Sequence, residues 1–188
     1  MLIIYAHPNK TGHCGYFLEQ VKKQLQKNEV DFEILDLYEM NYDPVLKSDE
    51  HYTSGKKNVD KVNLQIQEKI KQNDKLIFIY PTWWNSVPAI LKGFMDRVFT
   101  SGFAFKYTGK IPHSLLKGKA AIFTSSGAPR IYSRIIGRSG SIRVLKNDTL
   151  KFCGINSKAF VIGKARKLTD KNKSKIKKLV TKGLNYLN

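Results

Sequence analysis

Apolar residues gather in five short runs along this chain, and between the runs they recur at helical spacing. Leu2, Ile3, Ile4, Tyr5 and Ala6 form the first run. A continuous apolar stretch of that length predicts a strand buried on both faces. Val30, Phe32, Ile34 and Leu35 predict a second strand closed by Asp36, Lys75 to Tyr80 a third, Ala120 to Thr124 a fourth, and residues 158–163 a fifth. The intervening apolar positions sit three and four apart, which is the stripe of a helix lying on a core. Phe17, Leu18, Val21 and Leu25 mark one helix; Val59, Val62, Ile66 and Ile70 a second; Ile90, Leu91, Phe94 and Val98 a third, with Pro88 in its first turn. A fourth helix is expected over 139–150, and a last one buries Ile176, Leu179, Val180, Leu184 and Leu187.

Residues 37–57 are polar and aromatic, with Pro44 and Gly55, and predict a long excursion. Residues 100–118 predict a loop rich in glycine and aromatics, or a β-hairpin in which Phe103, Phe105 and Tyr107 alternate with small and charged residues. Strand and helix alternate five times. Such a chain is expected to form a parallel sheet with right-handed crossovers and helices on both faces. The order 2-1-3-4-5 is a common five-stranded solution. No linker or repeat divides the chain, so residues 1–188 are expected to form a single domain.

Composition narrows the class. The hydrophobic fraction is 41% and the aromatic fraction 11%, values of a globular protein. No apolar run approaches the roughly 20 residues of a membrane span, so membrane insertion is not expected. The amino terminus opens directly into a strand, which leads to the expectation of a cytoplasmic protein. Cys14 and Cys153 lie in different motifs and are expected to be reduced thiols. Four histidines and two cysteines at these spacings predict no metal site. The net charge of +18 is unusual. Such a charge can signal nucleic acid or membrane binding. The lysines, however, fall on successive helices, as on solvated helix faces, so no nucleic-acid partner is expected.

In an open α/β sheet ligands bind beyond the carboxyl ends of the strands. Three loops are expected there. The first, His7 to Gly15, carries neither a G-x-G-x-x-G nor a Walker pattern. It offers a helix start suited to phosphate, Thr11 as a hydroxyl donor, Gly12 for close approach, and His7, Lys10, His13 and Cys14 beside them. Thr11 as a plain helix cap and His7 as a packed strand-end residue are equally open. The second loop, Pro81 to Ser86, spends Trp83 and Trp84 between Thr82 and Asn85. Indoles there can cover a flat ring while backbone donors meet its polar edge. The third loop, Thr124 to Tyr132, reads T-S-S-G-A-P-R-I-Y.

Residues 80–99, Y-P-T-W-W-N-S-V-P-A-I-L-K-G-F-M-D-R-V-F, resemble the flavin-contacting segment of the flavodoxin-like NAD(P)H:quinone reductases of the DT-diaphorase type. The opening Y-A-H-P, the T-S-S-G loop and T-S-G-F-A-F-K-Y resemble the same family. The resemblance covers roughly residues 1–163. It implies a flavodoxin-like three-layer fold and a flavin, FMN or alternatively FAD, held by His7, Thr11, His13, Cys14, Pro81, Thr82, Trp83, Trp84, Asn85, Thr124, Ser125, Ser126 and Gly127. Backbone N–H groups around Ser125, Ser126 and Gly127 would meet the flavin edge that gains charge on reduction. Tyr132 would donate a hydrogen bond to flavin or substrate. Arg138 stands where relatives carry a histidine, and arginine can stabilise an anion but not shuttle a proton. Phe103, Phe105 and Tyr107 would form an apolar wall for a planar acceptor and meet a partner subunit. The implied activity is two-electron, ping-pong transfer from NAD(P)H to a quinone by a homodimer, with the positive field attracting anionic cofactors. A flavodoxin-type electron carrier and a flavin-containing regulatory subunit of an ion-efflux system are the alternatives.

Overall fold

The computed structural model describes residues 1–51, 54, 58–129 and 140–188. Its elements in chain order are β1 (Leu2–Tyr5), α1 (His13–Lys27), β2 (Glu33–Asp36), α2 (Lys61–Lys71), β3 (Lys75–Pro81), α3 (Ala89–Val98), β4 (Phe105–Thr108), β5 (Ile111–Ser114), β6 (Gly118–Ser125), α4 (Gly140–Arg143), β7 (Ile155–Ile162) and α5 (Asp170–Leu187). A π-helical stretch, Val144–Lys151, continues α4. Five strands form one parallel sheet in the order β2-β1-β3-β6-β7. That is the expected 2-1-3-4-5 order, since β4 and β5 pair only with each other, as an antiparallel hairpin.

The sheet separates two apolar layers. On one face Phe17, Val21 and Leu25 of α1 and Ile176, Val180 and Leu187 of α5 pack on Ile3, Ile77 and Phe123. On the other, Ile66, Leu91, Phe94 and Leu145 pack on Ile4, Phe78 and Ile122. The strands are buried from both sides, which is why they read as unbroken apolar runs. Val62 faces solvent, because α2 turns its Ile66–Ile70 stripe to the core.

The described part of the 37–57 excursion is held both by apolar contact and by charge: Leu37 and Tyr42 are buried in the core, with the Tyr42 ring 5.7 Å from that of Phe94. Arg97, buried on α3, donates from Nε and Nη2 to the two carboxylate oxygens of Glu50 at 2.9 and 2.8 Å, and from Nη1 to the Asp43 carbonyl. The Tyr42 hydroxyl donates to Asn63 Oδ1 at 2.8 Å. The Arg97 guanidinium also lies over the Tyr42 ring, 5.9 Å from its centroid.

Candidate functional site at the carboxyl edge of the sheet

β1 pairs with β2 on one side and β3 on the other, all parallel, so the lateral order in which strands are added reverses between β1 and β3. That switch point is where open α/β sheets bind ligands. The loops after β1, β3 and β6 meet there. Thr82 N donates to the Ser125 carbonyl at 2.7 Å, Cys14 Sγ lies 3.4 Å from Ser125 Oγ, and the His7 and Trp83 rings are 5.8 Å apart.

The loop after β1 is built as a chain of local bonds. Buried Tyr5 donates its hydroxyl to the Asn9 carbonyl at 3.1 Å. Asn9 N donates to His7 Nδ1 at 2.9 Å, and Asn9 Oδ1 accepts both the amide and the hydroxyl of Thr11 at 2.7 Å. Lys10 Nζ lies 3.0 Å from Asp36 Oδ2 and also pairs with Glu39. Gly12 is the N-cap and supplies no side-chain cap, so the first-turn amides of His13, Cys14 and Gly15 point out of α1 without acceptors among the described residues. Thr11 therefore does not cap the helix. Burial lowers the His7 pKa. The neutral ring that accepts at Nδ1 carries its proton on Nε2 and remains a donor.

The loop after β3 presents its aromatics openly. Trp83 and Ser86 exchange backbone hydrogen bonds at 3.1 and 2.8 Å. Trp84 and Asn85 between them have φ of 49° and 55°. Two left-handed residues in succession make the tight turn that usually carries Asn-Gly, and a tryptophan there costs of order 1–3 kcal/mol. Trp83 is 41% exposed and Trp84 fully exposed, so neither indole belongs to the core. Asn85 Oδ1 accepts from Gly140 N at 3.1 Å, and Thr82 Oγ1 bridges Thr124 Oγ1 at 3.1 Å and Ser141 Oγ at 2.9 Å. These side chains hold the turn against the start of α4.

Several sequence expectations change in this geometry. His13 is buried and its Nε2 lies 3.0 Å from Asn172 Nδ2 of α5, so its ring is held away from the loops. The Cys14 thiol is buried and pushed up to about 12 by desolvation, so only its amide is offered to a ligand. Pro81 and Thr124 are buried strand residues. Ser126 spends its amide on the Ile162 carbonyl at 2.9 Å, and its hydroxyl accepts Ala128 N at 3.3 Å. Among the described residues the free donors of this edge are instead the amides of Trp84, Asn85 and Gly127 and those of the first turn of α1. Gly12 and Gly127 have nothing within 4 Å of a built Cβ, so open space borders both.

The expected aromatic wall is not at this edge. Phe103 is a core residue. Phe105 packs edge-on against Phe152 with ring centroids 5.1 Å apart and against Tyr107 at 5.9 Å. The hairpin leaves the domain just before β6, and Leu116 N donates to the Cys153 carbonyl at 3.1 Å just before β7. That is the amino end of the parallel strands, opposite the three loops. Phe105 and Tyr107 therefore cannot line the site of their own chain. Tyr132 and Arg138 lie outside the described residues.

The sequence reading missed Asn9, Asp36, Ser141 and Asn172, which position the loops. The Asn9-x-Thr11 spacing was a usable turn signal; the other three depend on long-range contacts. A cavity of about 510 Å³ lies elsewhere, between the 40–60 excursion and Asn63 and Arg97, and contains none of the three loops.

Residues 1–182 match the family described by its flavodoxin-like fold. The chain is 34% identical over 177 residues to the ribosyldihydronicotinamide dehydrogenase (quinone) of Rattus norvegicus, covering 82% of this chain and 76% of that one. It is 35% identical over 162 residues to an uncharacterized NAD(P)H oxidoreductase of Haemophilus influenzae, covering 85% and 80%. Among solved structures, Smu.1420 of Streptococcus mutans superposes with a TM-score of 0.87 at 33% identity over 98% of both chains. An NAD(P)H:quinone oxidoreductase of Methanothermobacter marburgensis gives 0.83 at 28% identity over 100% and 96%. The chain belongs to the flavodoxin-like fold family.

Proposed function

We propose that this member of the flavodoxin-like fold family is a flavin-dependent NAD(P)H oxidoreductase that delivers two electrons to a quinone or similar planar acceptor. The observation that carries the reading is the convergence of unpaired amides and exposed indoles at the β1–β3 switch point. The rat and Methanothermobacter relatives, named for quinone as substrate, support it.

The residues of this edge fit a flavin. The first-turn amides of α1, with the helix dipole behind them and open space beside Gly12, suit its phosphate. The exposed faces of Trp83 and Trp84 and the neutral His7 ring suit a flat heterocycle. The Gly127, Trp84 and Asn85 amides suit its carbonyl edge. A bound flavin supplies the hydride chemistry, and the protein supplies binding and orientation. The amide dipoles stabilise negative charge developing at that edge without reorganising. Tyr132 closes the third loop in sequence and Arg138 follows it; the phenol is assigned a hydrogen-bond donor role and the guanidinium an electrostatic one. FMN is the flavin proposed, with FAD the alternative. The substrates are NAD(P)H and the quinone.

The working form is read as a homodimer. The hairpin with Phe105 and Tyr107 leaves at the wrong end of its own sheet to serve its own site, so the aromatic wall would come from a second copy. Phe105→Asp should then lower both activity and dimer mass by light scattering. A fully active wild-type monomer would exclude the dimer.

The test of the main reading is direct. Reconstituted protein should bind one flavin per chain, identified by mass after heat release, and consume NAD(P)H with menadione. Bound flavin without NAD(P)H consumption would favour a carrier or regulatory subunit, and no bound flavin would reject the family of readings altogether.

A further inference from the structure

The layer formed by α1 and α5 concentrates the charge of this chain. Residues 13–29 and 164–188 hold twelve Lys or Arg side chains and three carboxylates, Glu19, Glu29 and Asp170. The two helices lie side by side, with Gln24 Nε2 donating to Thr181 Oγ1 at 3.1 Å. Of these twelve cations, only Lys23, with Glu19 at 2.7 Å, and Lys173, with Asp170 at 3.4 Å, pair with a carboxylate among the described residues. The opposite layer mixes its charges, as in the pairs Lys71–Glu68 and Lys92–Asp96.

This excess reaches the candidate site. Lys164 N donates to the Ala128 carbonyl at 3.0 Å and Ala165 N to the Ser126 carbonyl at 2.9 Å, so the segment before α5 is stitched to the third loop. Lys164, Arg166, Lys167 and Lys171 are exposed along that edge, on which Trp83 and Trp84 also stand exposed. Exposed cations and exposed indoles on one edge are the combination that settles at a bilayer interface, where headgroups attract the charge and the indole ring sits at headgroup depth.

We propose that this corner docks the protein peripherally on an anionic lipid bilayer, with the mouth of the site turned toward the membrane. No described helix is long and apolar enough to cross a membrane, so the contact is at the surface. The choice of lipid over nucleic acid rests on the proposed function, because flat apolar acceptors concentrate in bilayers. It also rests on the side chains: eleven of the twelve cations are lysines, without the planar forks that read bases.

The experiment uses flavin-loaded protein and vesicles of phosphatidylcholine with and without phosphatidylglycerol, at low and high salt. Co-sedimentation is expected only with phosphatidylglycerol and is expected to be lost at high salt. At about fivefold per cation near the surface, K164Q/R166Q/K167Q/K171Q should weaken partitioning by up to several hundred-fold with an unchanged melting temperature. K175Q/K178Q/K182Q is a second variant, for use if the first fails to fold, and should weaken it by roughly 10²-fold on the same scale. Absence of binding, equal binding to neutral vesicles, or wild-type partitioning of a folded variant overturns the proposal. Tighter binding to a DNA duplex than to the anionic vesicles at the same salt overturns it in favour of a nucleic-acid surface. Partitioning is read without turnover. A quinone reductase that ignores phosphatidylglycerol refutes the docking alone, and a vesicle-binding protein that reduces no quinone refutes the enzyme reading alone.

Discussion

Two glycines three positions apart, Gly12 and Gly15, separate folding from ligand binding. A Cβ added to Gly15 would lie 1.7 Å from the Lys10 carbonyl oxygen and 2.3 Å from its carbon, against a real lower limit near 3.0 Å. The loop after β1 must therefore move away from α1 by more than an ångström. It is tethered by Tyr5 to Asn9, by Asn9 to His7 and by Lys10 to Asp36, so the shift strains or breaks these bonds. Overpacking together with one or two lost hydrogen bonds amounts to roughly 2–4 kcal/mol. Gly12 differs. Its backbone, at φ −95° and ψ −160°, suits any residue, and a Cβ there meets nothing within 4 Å. Gly12→Ala should change stability by less than about 1 kcal/mol, since the entropy gained by Ala opposes its poorer capping. The added methyl nevertheless enters the space beside the first-turn amides, and a methyl forced into a filled phosphate site costs roughly 1–3 kcal/mol, or about ten- to a hundredfold in flavin affinity. Thermal melts of the apoprotein and a flavin fluorescence titration give both quantities. Gly15→Ala is expected to lose stability and flavin together, Gly12→Ala flavin alone. Unchanged flavin affinity in folded Gly12→Ala would refute the placement of the phosphate at the start of α1.

Arg97→Met should destabilise by about 3–5 kcal/mol, because it leaves buried Glu50 without its bidentate partner; denaturant melts should show the double variant with Glu50→Leu recovering much of the loss. Trp84→Ala should weaken flavin retention, whereas Tyr132→Phe should keep flavin and slow turnover by up to roughly 10²-fold; equal flavin loss in both would contradict the assigned roles. Burial lowers the pKa of both His7 and His13 below the ordinary 6.5. Below that pH the unfolded chain takes up protons that the native state refuses, so apoprotein stability should fall on acidification through this window and be full above it; a His7→Gln, His13→Gln variant with the same pH slope would show that these rings are not responsible.

What the sequence determined by itself is the sheet and its binding edge. Unbroken apolar runs at Leu2–Ala6, Lys75–Tyr80 and Ala120–Thr124 encode strands buried on two faces, and alternation with amphipathic helices leaves few topologies open. The Trp83-Trp84 loop was legible too, because two indoles at a strand end cannot both be core. Only the tertiary structure decided which groups at that edge are free. His13 and Cys14 look like ligand contacts in sequence, but α5 and β6 claim their side chains through Asn172 and Ser125. The Ser126 amide is lost to Ile162, while those of Trp84 and Gly127 remain open among the described residues. The aromatic hairpin shows the same limit, since Phe105 and Tyr107 have the composition of a substrate wall but sit at the far end of their own sheet. Local pattern records which face of an element is apolar. A hydrogen-bonding group is free or spent according to partners far along the chain, 111 residues for Cys14 with Ser125 and 159 for His13 with Asn172, and those partners meet only when the sheet is assembled.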